Sequence, residues 1–217
     1  MAGGGGGGPA ANRKMFVKIC GITRLEDADA AVTAGASALG FVFWPGSPRF
    51  VDPYRARAIV QGLPPFVTPV GLFVNQPREY VSGVASLVRL GAVQLHGDES
   101  VDFAASIAWP VIKALSVDRA SAWPAATTLL LDAHDPVKRG GTGHTIDWAA
   151  AAGIAARRRV LLAGGLTPDN VADAIARVRP FGIDVSSGVE RSPGIKDHGK
   201  LRALFDGLSV PPAAKGL

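Results

Sequence analysis

Cysteine is almost absent from this chain: among 217 residues there is one, Cys20. A single thiol cannot close an internal disulfide, which excludes the cross-linked scaffolds of small secreted proteins. No apolar run reaches the roughly 18 residues that a membrane-spanning helix requires, so no membrane partner is expected. The first residues, "MAGGGGGGPAANRKM", lack the apolar middle of a signal peptide. They read as a flexible glycine-rich tail over 1–14, followed by a folded unit over 15–208 and a short tail over 209–217. A cytoplasmic location is the default. Aromatic residues are scarce, 7% of the total, and none is interleaved with the one dense basic run, Arg157 to Arg159. Single-stranded nucleic acid is bound by stacking on such residues, so the net charge of +5 does not indicate a nucleic-acid partner. A mildly positive field suits a small anionic substrate instead.

What is present is apolar and finely divided. The 47% of hydrophobic residues fall into short runs: Phe16–Cys20, Ala38–Phe43, Thr68–Val74, Ala92–Leu95, Val111–Ala114, Thr128–Leu131, Val160–Ala163 and Gly182–Val185. Runs this short and this uniformly apolar suit strands buried on both faces of a parallel sheet. Between them lie helix-like stretches such as "LEDADAAVTAGA" and "PDNVADAIARVRP". In the second, Val171, Ile175 and Val178 recur at helical spacing after a Thr167-Pro168 start signal. About eight strand–helix units in one chain imply a single-domain α/β fold, a (β/α)8 TIM barrel, with a doubly wound open sheet as the alternative.

In such a barrel, function gathers where strands end. The ends here carry Cys20, then Arg49 in "WPGSPRF", Gln94 and His96, Asp132, Gly164 and Gly165, and Asp184, Ser186, Ser187 and Gly188. "AGGL" and "SSGVE" follow the seventh and eighth strands, the recurrent phosphate position of this architecture, where glycine lets backbone amides approach an anion. Strand alternation aims Lys18 and Cys20 to one side. Barrel closure would bring Asp184 beside Lys18 and balance its buried charge. Lys18 would in turn favour a thiolate at Cys20. Cys20 could equally be a small buried hydrophobe and Asp132 a capping residue, while His96 is either a substrate contact or a structural histidine. His134, His144 and His198 show no ligand spacing, so no metal is expected. "RGGTGHT" lacks the spacing of a nucleotide-binding loop and reads as a mobile loop over the mouth.

The ordered blocks "KICGIT", "GFVFWPGSPRFV", "VGLFVNQ", "VQLHGDE", "LLLDA", "GGTGHTIDW", "AGGLTPDNV" and "DVSSGVERSPGIKD" resemble the phosphoribosylanthranilate isomerase family. The resemblance runs from Met15 to about Phe205. It implies a cofactor-free Amadori rearrangement in tryptophan biosynthesis, acting on a small phosphorylated substrate, by a monomer or homodimer. It also implies Cys20 as general base, Asp132 as general acid, and Arg49 as the holder of the anthranilate carboxylate. Asp184 matches a family aspartate near the base, and the phosphate falls to Gly164, Gly165, Ser187 and Gly188. A lowered thiol pKa and a raised carboxyl pKa would suit these roles. One local departure is Ala133-His134, where a small hydroxyl residue is more usual. The histidine-pathway isomerases, which also perform an Amadori rearrangement, carry aspartates at the ends of strands 1 and 5. Here those ends are Cys20 and "KALS". A barrel that binds phosphorylated ligand without turnover is the non-enzymatic alternative.

Overall fold

The computed structural model describes residues 15–132 and 146–209. The expected tail over 1–14, the "RGGTGHT" loop, Ala133, His134 and His144 lie outside the described residues, as does the expected tail over 209–217 apart from Ser209, which ends the last helix. Eight parallel strands form a closed barrel in sequence order. They are β1 (Phe16–Cys20), β2 (Ala38–Val42), β3 (Thr68–Phe73), β4 (Ala92–Leu95), β5 (Val111–Leu115), β6 (Thr128–Leu131), β7 (Val160–Leu162) and β8 (Gly182–Val185). Pairing of β1 with β8, with Lys18 opposite Asp184, closes the ring and rules out the open sheet. The chain is therefore a (β/α)8 barrel.

Alternation along each strand decides which residue faces which core. Val17, Ile19, Leu39, Phe41, Val93, Leu95, Leu129 and Ile183 pack outward against the helices. Their neighbours fill the barrel: Phe16, Ala38, Val70, Ala92 and Ile112 lie together, and Ala114, Leu130, Leu161 and Ala163 form a second group. Each fully buried Leu, Ile or Phe contributes roughly 1.5–3 kcal/mol, so the two cores together hold the barrel closed.

The helices are α1 (Leu25–Ala34), α2 (Pro53–Gln61), α3 (Arg78–Val88), α4 (Val101–Ala105), α5 (Trp148–Ala155), α6 (Val171–Val178) and α7 (His198–Ser209). Asp52 caps α2 by accepting from the amides of Tyr54 and Arg55, which satisfies donors the first turn leaves open. Gly35 ends α1 in the left-handed region, φ 114°, where a side chain would be strained. The spacing read for Val171, Ile175 and Val178 corresponds to α6, whose Val171 and Val178 are buried. Two features differ from a regular repeat. The connection from β5 to β6 is a 3-10 turn over Val117–Ala122 in place of an α-helix. After β8, a small antiparallel hairpin, β9 (Glu190–Ser192) and β10 (Ile195–Lys196), interrupts the path to α7.

Candidate active site

Cys20 is the last residue of β1, 5% exposed, and pairs in register with Gly40 of β2. A β-carbon on Gly40 would lie 2.7 Å from the Cys20 sulfur and 3.0 Å from Lys18 Nζ. The thiol therefore occupies space that only glycine leaves on the neighbouring strand. One layer below, Lys18 is fully buried and donates to Asp184 Oδ1 at 2.8 Å. This is the compensation expected from alternation and closure. Burial works against the Lys18 charge, but Asp184 and Cys20 beside it prevail, and its pKa sits above the ordinary lysine value.

The direction at Cys20 differs from the sequence-based expectation of a lowered pKa. Burial pushes the thiol up, Lys18 and Lys196 pull it down, and Asp184 adds to the rise; the net direction is up. Because the chain has one cysteine, thiolate absorbance in the far ultraviolet reports this group alone. Its half-titration is expected above the ordinary thiol value of about 8.5; a midpoint below that value would overturn the assignment of burial as the dominant influence. The same shift withdraws folding stability as pH rises past the unfolded thiol's pKa, because the unfolded chain ionises first.

Opposite this group, β4 and β6 supply His96 and Asp132. The His96 Nε2 stands 3.6 Å from Asp132 Oδ2. The Gln94 amide, completely buried one layer below, lies 3.3 Å from His96 Nδ1. A donated Gln94 N–H leaves the imidazole proton on Nε2, facing the carboxylate. Asp132 itself is anchored by its amide, which donates to the Leu115 carbonyl at 3.1 Å. In strand order β6 is three strands from β1 around the ring, so the thiol and the carboxylate face each other across the mouth.

Arg49 follows β2. Its stem lies against Gly21, where a β-carbon would come within 2.7 Å of Arg49 Cδ. Its guanidinium donates from Nε to Glu190 Oε1 at 2.9 Å and from Nη2 to Oε2 at 2.7 Å. Cys20, Val42, Leu72 and Val74 form an apolar patch at this side of the mouth, with Trp44 packed against it. Across the ring, Gly164 and Gly165 both adopt left-handed backbone, φ 83° and 64°. Asn170 braces that turn, donating to the Gly165 carbonyl at 2.9 Å and accepting from the Thr167 amide at 2.9 Å. A β-carbon on Gly188 would overlap the Leu166 carbonyl, so the loops after β7 and β8 meet at a point only glycine allows. The structure thus gathers at one end of the barrel an apolar pocket wall, a thiol, a histidine-paired carboxylate, an arginine and two adjoining glycine turns.

The profile of the N-(5'phosphoribosyl)anthranilate (PRA) isomerase family matches residues 17–207. The chain belongs to that family. An N-(5'-phosphoribosyl)anthranilate isomerase of Pelobacter propionicus is 53% identical over 194 residues, covering 87% of this chain and 93% of the relative. Among solved structures, the phosphoribosyl anthranilate isomerase of Thermus thermophilus superposes with a TM-score of 0.83 at 46% identity, covering 90% of this chain and 98% of that one. The Thermotoga maritima enzyme gives 0.84 at 45%, covering 89% and 98%. A further relative, 44% identical with a TM-score of 0.81 over 89% of this chain and 98% of that one, was solved with reduced 1-(o-carboxyphenylamino)-1-deoxyribulose 5-phosphate.

For this phosphoribosylanthranilate isomerase family member, sequence reasoning missed two charged residues at the mouth. Glu190 and Lys196, on the hairpin β9–β10, are 7% and 2% exposed. Two- and three-residue strands carry no readable periodicity, and the only signal was the "SPG" turn between two charges. Asp184, expected beside Lys18 and near the base, spends its Oδ1 on Lys18 beneath the thiol.

Proposed function

We propose that Cys20 is the general base and Asp132 the general acid in the isomerisation of N-(5-phosphoribosyl)anthranilate to 1-(2-carboxyphenylamino)-1-deoxyribulose 5-phosphate, a step of tryptophan biosynthesis. The observation that carries this reading is the placement of the two groups across one mouth, the thiol above Lys18–Asp184 and the carboxylate against His96. Asp132 protonates the furanose ring oxygen, and the ring opens to a Schiff base. Cys20, as thiolate, takes the proton from ribose C2, and the resulting enolamine tautomerises to the ketone. Lys18 and Lys196 offset part of the burial cost of that thiolate. His96, through Nε2, orients the acid.

Arg49 receives the anthranilate carboxylate, while the apolar patch of Val42, Leu72, Val74 and Trp44 accommodates the ring. The turns at Gly164, Gly165, Ser187 and Gly188 take the phosphate. A homodimer and a cytoplasmic location belong to the same proposal. The first is supported by Phe66, fully exposed with φ 72° on the loop before β3, and by a Thermotoga maritima relative described as dimeric. Among the described residues, no helix is long and apolar enough to cross a membrane.

The deciding assay follows the loss of anthranilate fluorescence on adding purified protein to the aminoaldose phosphate. Turnover is expected, and none from folded protein would sink the assignment. In the same assay Arg49→Ala should raise KM by about tenfold or more with kcat little changed, the pattern of lost ground-state binding.

A further inference from the structure

Glu190 has no step in the reaction above, yet it is buried and accepts hydrogen bonds from two side chains and a backbone amide. It accepts from Arg49 Nε at 2.9 Å and Nη2 at 2.7 Å, from Lys196 Nζ at 2.9 Å and from the Gly194 amide at 3.2 Å. The contact to Arg49 is side-on: it uses the Nε edge of the guanidinium. That leaves the end-on edge, formed by Nη1 and the second proton of Nη2, presented away from Glu190. A planar carboxylate fits that edge with two parallel hydrogen bonds.

Charge alone would argue against such a pairing, because a carboxylate already beside Arg49 cancels its attraction for another. Lys196 removes the difficulty. Its three N–H groups point at Glu190 Oε1 and at the carbonyls of Cys20 (2.5 Å) and Ser186 (3.2 Å). Arg49, Lys196 and Glu190 together carry one net positive charge. The Lys196 ammonium has no proton left for a ligand, so the surplus charge is delivered through Arg49. Its grip on the Cys20 carbonyl also ties this cluster to the strand that bears the thiol.

We infer that Glu190 is a positioning residue that aims Arg49 end-on at the substrate's carboxylate, with Lys196 as the counter-charge that keeps Arg49 attractive to it. Burial raises the Glu190 pKa and the two cations lower it; the net direction is down, in keeping with a permanently ionised brace. The inference rests on the reading that Arg49 binds the anthranilate carboxylate, and the test separates the two.

Two substrates are compared: the native one, and the analogue made from aniline, which lacks only the carboxylate. The readout is the ratio of their kcat/KM values, which general damage to the barrel leaves unchanged. Wild-type enzyme should prefer the native substrate strongly, and Arg49→Ala should abolish the preference. Glu190→Gln should lower the ratio by about tenfold, mainly through the KM of the native substrate. The double variant Glu190→Gln/Lys196→Met removes both buried charges together, which proteins tolerate better than leaving one unpaired. It should lower the ratio likewise, and it serves if the single variant does not fold. If both substrates slow equally in the Glu190 variants while Arg49→Ala collapses the ratio, Glu190 is merely structural and the inference is overturned. If Arg49→Ala leaves the ratio intact, the carboxylate reading of Arg49 fails first and takes the inference with it.

Discussion

Replacing Cys20 with serine is expected to lower kcat by about 100- to 10,000-fold, the usual range for loss of a general base. A serine hydroxyl fits the space opposite Gly40, since it is smaller than the thiol that already occupies it. Folding should therefore survive, and the loss should fall on chemistry. The hydroxyl is a far weaker acid than the thiol, so it holds its proton at every pH the barrel tolerates. Lys18 cannot substitute, because its ammonium is buried one layer below and engaged with Asp184 at 2.8 Å. KM should change little, as Arg49 and the two glycine turns remain in place. A deuterium at ribose C2 provides the second measurement: proton abstraction becomes the slow step, and the isotope effect on kcat should grow. Wild-type kcat in the serine variant would remove Cys20 from the mechanism.

Asp132→Asn carries a similar expected loss, about 100- to 10,000-fold in kcat. The substitution is nearly isosteric: the side-chain amide can still face His96 Nε2, and the main-chain N–H of residue 132 keeps its bond to the Leu115 carbonyl. What it cannot do is give a proton to the furanose oxygen. Ring opening then becomes rate-limiting, so the C2 isotope effect should shrink, opposite to the serine variant. That contrast places the two residues on different steps. The isotope effects moving in the same direction would show that both act at C2 and would overturn the division of roles. Combining the two substitutions should cost less than the product of the single losses, because residual catalysis by binding alone sets a floor.

Much of this is legible in the sequence alone. β1, β4, β6 and β8 begin and end where the apolar runs do. Those runs are followed by Gly21, His96, Asp132 and Ser186, where the apolar character of each run stops. β2, β3 and β7 stop one residue short of the run, and β5 extends one beyond; an apolar run does not mark where ladder pairing gives out. The Lys18–Asp184 pair needed only alternation and closure. Cys20, His96 and Asp132 could be found as polar residues at strand ends, although their spacing across the mouth could not. The direction of the thiol's pKa was misread because burial at Cys20 depends on Gly40 and on the patch of Val42, Leu72 and Val74, contributed by other strands. The partner of Arg49 was invisible for a similar reason: Glu190 is 141 residues away on a hairpin too short to show a pattern.

The seam between β1 and β8 also bears on how the molecule comes to exist. Lys18 and Asp184 are 166 residues apart, so the first strand made waits for almost the whole chain before its inner face is neutralised. A nascent polypeptide that has not yet produced Gly182 already contains Cys20, Arg49, His96 and Asp132. It still has no way to bury an ammonium at its centre. Closure of such distant ends is entropically slow, and here it is electrostatically conditional too. Assembly of the reactive end is thereby tied to completion of the last strand, and a truncated translation product would carry the thiol without the enclosure that restrains it.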